Sequence, residues 1–600
     1  MRILRIPRKP ILLPRRSLLA RAHVYDIVTG SERKRPDQDM KSNHQATWEV
    51  LPPAPAEYLS AADIPAVIAQ LMYNRGVKPD EIKAFLAADD RLHGNPFLLP
   101  DMSPAVSRIY QALRSRDKIA IYGDLDVDGV TATAVLVEAL SQLGGNITTY
   151  IPDRLSEGHG LKSPAIEGLH HDGVGLVITV DCGISDLPEA KQADQMGLDM
   201  IITDHHMPLA TLPKAVAVID AKRKDSRYPF SELAGAGVAF KLVQALFHKH
   251  RRETWLTELL DLVALGTITD MVRLTGENRY LAKEGLRVLN NTQRVGLQEM
   301  IKLARLNLGE LNADDVSWAL GPRLNAAGRM NDASTSYRLL TTRSSQEAYG
   351  LAKELEETNA ERQTVTAEAL SKAQQRLASR LHLPLLIEGD ESYPVGVIGL
   401  VAGKLKDEFY KPAIIISVGT ELCRGSSRSI PEFNIASALE ECRDLLITFG
   451  GHPLAAGFTV QRQNLAQLEQ RLTNMAESQL SRVDLRPKLV IDAEVPLSTF
   501  TGDTFNLIQQ LEPFGQGNPY PTFLSRQVKV IECRSSGNQG KWLRLKLKQE
   551  DISWEAIDFD SHKTQDEIPS YIDIVYKMEK RLWNGEEVLQ LILRDFAPSD

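Results

Sequence analysis

Cysteine is scarce. The 600 residues hold four, Cys182, Cys423, Cys442 and Cys533, scattered and without a CxxC pair. That usage carries no zinc knuckle and fits a reducing compartment. No run of about 18 apolar residues occurs, so nothing reads as a membrane span. Basic charge is not in excess either: 70 Lys and Arg stand against 78 Asp and Glu, a net charge of −8. This argues against a uniformly basic nucleic-acid coat and leaves room for a local basic groove. The N-terminus, MRILRIPRKPILLPRRSLLARAHV, lacks any acid before Asp26 and lacks the long apolar core of a secretory signal. Its seven Arg or Lys read as a disordered basic tail over residues 1–47. An organelle transit peptide or an over-extended start are the alternatives. The expected location is cytoplasmic, or an organelle if that stretch is a transit peptide.

What is present is a dense acidic signal. Residues 123–134 read GDLDVDGVTATA, with Asp124, Asp126 and Asp128 alternating ahead of Gly129. A calcium EF-hand loop begins the same way, but it needs a bidentate Glu at its twelfth position and a preceding helix. Here the twelfth position is Val135, and the preceding KIAIYG reads as a buried strand. VTATAVLVEALSQLGG then reads as a helix closed by Gly144 and Gly145. The stretch is strand, acidic loop, helix.

Length suggests roughly three to five domains. Helical spacing around residues 61–76 and in DEIKAFLA suggests a small helical cap. From 118 to 220, KIAIYG, NITTYI, GLVITV, LDMIIT and AVAVID alternate with helical segments, the pattern of a parallel α/β sheet. Helices dominate from about 233 to 340. Residues 344–381 read as one long polar helix with a capping box at Ser344 and Glu347, a form suited to joining two domains. A second α/β segment runs from 382 to about 480. Short strands then follow, among them QVKVIECR, KWLRLKLK and YIDIVYKM, which suggest a small barrel. In LRLKLK, Arg544, Lys546 and Lys548 share one face, either a solvated strand face or a surface that follows a phosphate backbone.

Two further strands end in acids: VDCGI with Asp181, and TDHH with Asp204, His205 and His206; Asp270 follows in ALGTITD after a helix broken at Gly266. Ligands of an open parallel sheet bind outside the carboxyl ends of its strands. Each acid alone reads as a helix N-cap, and a lone His as a surface or core residue. Together, unneutralised carboxylates at one edge would repel and raise one another's pKa. Two divalent cations relieve that repulsion, and carboxylate with imidazole suits Mn2+ or Mg2+. A pair of such ions roughly 3.5–4 Å apart can clamp the attacking and leaving oxygens on phosphorus. The residues therefore point to a metal-dependent phosphoesterase.

GDLDVDG, VDCGI, TDHH and ALGTITD, in this order, resemble the motif series of the DHH phosphoesterases. GHGL, GPRLNAAGRM, GVIGLVAGKL, GSSRSIPEFN, FGGHPLAAGF and EPFGQGNPYPTF narrow the resemblance to RecJ-type exonucleases, specific for single-stranded DNA and acting 5′→3′. The likeness runs from about residue 60 to the end. It implies an α/β architecture: a DHH-type parallel-sheet catalytic domain with the helical cap (48–340), a connecting helix (341–381), a DHHA1 α/β domain (382–482) and a C-terminal OB-fold β-barrel (483–600).

By the same resemblance, Asp126 and Asp128 are metal ligands, with Asp124 the least certain of the three. Asp181 bridges two Mn2+ or Mg2+ ions, His205 is a direct ligand, His206 and Asp204 bind or orient, and Asp270 completes the catalytic set. Arg323, Asn325, Arg329, Ser426, Arg428, His452, Arg544 and Lys546 are the expected DNA contacts. His159 stands where the family usually carries an aromatic residue, and Tyr393 and Pro394 where many members carry Trp-His. The implied activity is degradation of single-stranded DNA to mononucleotides in recombination and repair. The implied partners are a single strand with a free 5′ end, a single-strand-binding protein and a helicase, with no membrane and a monomeric enzyme. Smaller DHH–DHHA1 enzymes that cut oligoribonucleotides or cyclic dinucleotides, and inactive DNA-binding scaffolds, are the alternatives. The barrel argues against the first and the filled ligand positions against the second.

Overall fold

The computed structural model describes residues 46–599 apart from 155, 249–252, 502, 537–541, 560–564 and 584–585. The expected basic tail thus lies outside the described residues as far as residue 45. Thr47 already opens a strand, Thr47–Val50, which pairs in parallel with Lys488–Ile491.

The catalytic sheet has five parallel strands in the spatial order Asn146–Tyr150, Lys118–Gly123, Val174–Val180, Asp199–Thr203, Ala217–Ile219. All five expected strands are there. Lys118–Gly123 and Val174–Val180 are buried almost end to end, as strands covered on both faces must be. The helices Val127–Gln142, Gly235–Phe247 and Leu260–Thr269 lie in the core on one face, with Ile121, Ile178 and Leu262 fully buried there. Ser163–His171 and Leu187–Gln195 cover the other through Ile166 and Ala190. The chain leaves Lys118–Gly123 toward one neighbour and reaches its other neighbour later. The crevice between the carboxyl ends of Lys118–Gly123 and Val174–Val180 is therefore the topological switch point.

The long helix runs Ser345–Leu377 over 33 residues, about 50 Å at 1.5 Å per residue. Its expected capping box is half formed. Ser344 accepts from Glu347 N at 3.3 Å, but the Glu347 carboxylate turns to Arg338 and Thr342 instead of reaching back to Ser344 N. A second sheet follows in the order Leu446–His452, Ala455–Gln461, Leu422–Arg428, Ala413–Val418, Leu386–Asp390, antiparallel except for its last pair. The C-terminal strands close on themselves, because Phe523–Ser536 pairs both with Trp542–Gln549 and with Tyr571–Trp583. This is the small barrel expected from the strand pattern.

The cap helices Ala56–Ala62, Ala66–Asn74 and Ile82–Ala87 pack away from the expected place. Their apolar residues share one core with the barrel, where Leu71, Met72 and Phe85 join Phe500, Leu545 and Ile574. The barrel is also tied to the catalytic domain. The fully buried Arg279 donates to the carbonyls of Phe85, Gln510, Leu511 and Glu512 at 2.6–2.9 Å. Leu274 N donates to Gln516 O within the EPFGQGN segment. No helix among the described residues is long and apolar enough to cross a membrane.

Candidate active site

The acidic loop sits at the switch point, and each of its carboxylates has a distinct local tether. Asp126 caps the helix Val127–Gln142, accepting from Asp128 N at 2.9 Å and Gly129 N at 3.2 Å. Asp128 turns inward and accepts from Gly235 N at 2.6 Å and Ala236 N at 2.8 Å, at the start of Gly235–Phe247. Asp181 follows Val174–Val180 with φ of 62°, a left-handed conformation that is costly for a residue with a Cβ. Asp270 caps the end of Leu260–Thr269. That helix runs through Gly266 unbroken, contrary to expectation. Gly266 serves close approach instead: a Cβ there would lie 2.6 Å from Asp128 Oδ1 and 2.5 Å from Thr131 Oγ1. Gly235 does the same for Asp181, whose Cβ would be 2.6 Å away.

The side chains form three overlapping groups, each with ligand atoms within 4.8 Å of one another: Asp124, Asp126 and Asp181; Asp128, His205 and Asp270; Asp181, His205 and His206. Asp204 is in none. Its Oδ2 accepts from Ile184 N at 3.0 Å, and its Oδ1 accepts from His205 N, His206 N and His206 Nδ1 at 2.7–3.1 Å. Burial works to raise Asp204, yet these bonds and the imidazole charge of His206 hold it at about 2. His206 is raised to about 9 in turn: burial works to lower it, but the hydrogen bond to Asp204 together with the charges of Asp204, Asp270 and Asp124 outweighs that. Asp204 thus holds the His206 ring and the backbone of His205, and the other seven acids and imidazoles of the expected set converge.

Electrostatically the centre is in debt to a cation. Burial, then Asp126, pushes Asp128 up to about 7, against the pull of the two backbone N–H groups. Burial and the neighbouring carboxylates push Asp181 and Asp270 well above the usual range and raise Asp126. Burial, then His206, lowers His205 to about 3, so its ring is neutral. His205 Nε2 lies 3.0 Å from Asp181 Oδ1, 3.6 Å from Asp270 Oδ2 and 3.8 Å from Asp128 Oδ2. Nevertheless Asp181 Oδ1 and both His205 nitrogens are buried without a hydrogen bond. Orphaned buried polar atoms that converge without bonding one another are what cation ligands look like. The oxygen-rich set with neutral imidazole fits Mn2+ or Mg2+.

Across from the carboxylates lie arginines. Burial, then the guanidiniums of Arg154, Arg362 and Arg428, lowers Arg329 to about 10. Arg428 leans on Ser427 O at 2.8 Å and Ser426 Oγ at 3.3 Å. A Cβ on Gly399, in the first turn of Ile398–Phe409, would lie 3.0 Å from Ser426 Oγ and 3.2 Å from Arg428 Nη2. That helix N-terminus therefore adds its partial positive charge to the same place. His452 stands exposed at the end of Leu446–His452, close enough for its charge to depress His205.

Other expected DNA contacts have different partners. Arg323 is held by both oxygens of Glu356 on the long helix, and Asn325 Oδ1 accepts from Val127 N, fixing the acidic loop. Lys546 lies in the barrel between Glu532 and Glu555 on the adjacent strands, whereas Arg544 lies beside Arg534. Tyr393 is buried in the core under the long helix, away from any base-stacking position. Two arginines escaped the sequence reading. Arg154 had a signal, since it follows a strand of the same sheet; Arg362, on the long polar helix, had none.

Family models match in three places: the DHH family, N-terminal domain, over residues 118–267; the DHHA1 domain over 365–480; and the RecJ OB domain over 491–595. The single-stranded-DNA-specific exonuclease RecJ of Bacillus subtilis (strain 168) is 38% identical over 575 residues, covering 95% of this chain and 71% of that protein. The protein of that name from Escherichia coli (strain K12) is 32% identical, covering 90% and 96%. The crystal structure of RecJ in complex with Mn2+ from Thermus thermophilus superposes with a TM-score of 0.79 at 28% identity, covering 92% of this chain and 80% of that one. The chain belongs to the family of the single-stranded-DNA-specific exonuclease RecJ.

Proposed function

We propose that the protein is a metal-dependent exonuclease that degrades single-stranded DNA 5′→3′ to mononucleotides, in recombination and repair. The observation that carries this reading is the facing pair of like-charge clusters: buried carboxylates at the switch point of the sheet, and guanidiniums opposite. Asp124, Asp126, Asp128, Asp181, His205, His206 and Asp270 would hold two divalent ions, Mn2+ or Mg2+. When bound, these supply Lewis-acid polarisation of the scissile phosphate and a nucleophile at neutral pH.

The chain's own groups do the rest. Asp204 orients the His206 imidazole and pins the backbone of His205. Arg428, Arg329 and Arg154 take the terminal 5′-phosphate, to which a guanidinium donates two parallel hydrogen bonds. Ser426 adds a hydroxyl, and His452 a ring at the end of a strand whose two glycines admit a phosphate closely. Arg544 and its strand face hold the strand behind by backbone charge. Such an enzyme would use ends exposed by a helicase, meet a single-strand-binding protein there and work in the cytoplasm. Action as a monomer is supported by the presence of the whole constellation within one chain.

The test is incubation with Mn2+ and strands labelled at either end, duplexes and cyclic dinucleotides. Mononucleotides released from the 5′ end of single strands alone are expected. Preferential hydrolysis of cyclic dinucleotides, or release from the 3′ end, would overturn the reading.

A further inference from the structure

Outside the expected set, His159 bonds a carboxylate of the acidic loop through its side chain. Its Nδ1 lies 3.1 Å from Asp124 Oδ2 and 3.3 Å from Asp124 Oδ1. Its Nε2 lies 2.9 Å from Arg154 Nη1. A guanidinium has donors only, so Nε2 must accept and the ring proton sits on Nδ1, aimed at the carboxylate. Arg154 is itself fixed, because its Nε donates to Gly328 O at 2.7 Å. Gly328 presses on the acidic loop, where a Cβ would come within 2.2 Å of Leu125 O. A continuous chain thus runs from the Gly321–Met330 helix through Arg154 and His159 to Asp124.

The two histidines near the centre are held in opposite ways. His205 is buried and both its nitrogens are unpartnered, as a direct ligand requires. His159 is half exposed and both its nitrogens are engaged, as an outer residue that orients a ligand requires. Asp124 needs such a partner more than its neighbours do. Asp126 and Asp128 are each anchored by two backbone N–H groups, whereas His159 is the side chain that bonds Asp124.

We propose that His159 is a positioning residue for the cation held by Asp124, Asp126 and Asp181, and that Arg154 sets its tautomer. This rests on the reading of the centre as a two-cation site. Orientation of a ligand from outside the coordination sphere is typically worth about 10–100-fold in metal affinity. Because Arg154 is also among the arginines offered to the strand end, it links the phosphate contact to the cation contact through one imidazole.

The test is a Mn2+ titration followed by the electron paramagnetic resonance signal of the free ion, without DNA, on the full chain, H159F, H159N and R154A. The unaltered chain should bind two ions. H159F should leave the affinity for one ion unchanged and bind the other about 10–100-fold less well. H159N, whose amide can donate from the place of Nδ1, should restore it, and R154A should fall between. Fewer than two ions on the unaltered chain would sink the two-cation reading itself. Two ions on that chain, with unchanged affinities in H159F and a weakened Kd for single-stranded DNA, would overturn this inference in favour of a base contact. Equal loss of both ions in H159F, or failure of H159N to restore the second, would overturn it as well.

Discussion

The carboxylate cluster, largely buried, and the arginine cluster, half-buried, are both like-charged, but the fold builds them differently. The five aspartates Asp124, Asp126, Asp128, Asp181 and Asp270 hang on strand ends and helix ends of one core. The four arginines Arg154, Arg329, Arg362 and Arg428 come from a loop, a helix, the long connecting helix and the second sheet. The first cluster is built within a single domain, while the second is assembled where that domain, the connecting helix and the second sheet meet. One such contact is tight: a Cβ on Gly396 would lie 2.1 Å from Arg329 O. Elsewhere the protein pairs its buried charges, as with Lys241 and Glu277 at 2.8 Å or Arg294 and Asp261 at 3.0 Å. Arg279 shows the third solution, a buried guanidinium satisfied by four carbonyls. The two facing clusters are left with charge unbalanced, which is costly unless a ligand of opposite sign completes each.

The largest effect should come from the centre of the acidic cluster. Asp181→Ala should lower cleavage by roughly 10³-fold or more while leaving the Kd for single-stranded DNA within a few-fold. If Mn2+ restores full activity to that variant, the two clusters do not divide the work as described. Next, Arg428→Ala should lower kcat/KM by about 10–100-fold, the range of hydrogen bonds to a charged group. The loss should be greatest on strands that carry a 5′-phosphate, and equal losses on 5′-hydroxyl strands would show that the arginines do not read the end.

A smaller effect separates the clusters by pH. Asp128 is raised to about 7 from 3.8, so between those values the folded chain binds more protons than the unfolded one. Stability of the metal-free protein should therefore fall as pH rises through that window. Asp126, Asp181 and Asp270, also raised, act in the same sense and outnumber His205, which is lowered to about 3 and works the other way below 6.5. Asp204 and His206 do not oppose it within the window. Asp204, held at about 2, loses its contribution only as pH falls below 3.8, and His206, near 9, only as pH rises above 6.5. Thermal unfolding should show a midpoint lower by roughly 2–4 °C at pH 6.5 than at pH 4.5. Saturating Mn2+ should flatten the slope, and a metal-free midpoint that rises instead would contradict the unbalanced centre. The smallest effect concerns the barrel. Arg544→Ala should reduce the salt slope of single-strand binding by about 0.7. Lys546→Ala, flanked by two glutamates, should change binding by less than about twofold.

Much of this site was legible because its signals are local. A strand that ends in an acid places the acid at the sheet edge whatever the rest of the chain does, so Asp126, Asp128, Asp181 and His205 could be named from spacing and motif order. Roles that depend on partners distant in sequence were not legible. Arg323 and Asn325 sit in the same motif as Arg329, yet Glu356 takes one and Val127 N the other. Gly266 looked like a helix breaker and is a contact glycine, because Asp128 arrives from a distant part of the chain. The cap helices read as part of the catalytic domain and pack on the barrel at the far end of the chain.

Apolar periodicity, strand-end carboxylates and the order of short motifs determined the α/β class, the barrel, the long helix and the metal-binding chemistry, since each depends on residues within a few positions of one another. The tertiary structure alone decided which arginines meet, which imidazole is buried with its nitrogens unpartnered, and which one bonds Asp124. Those outcomes turn on burial and on the identity of a hydrogen-bond partner, and both are set by chain segments that only folding brings together.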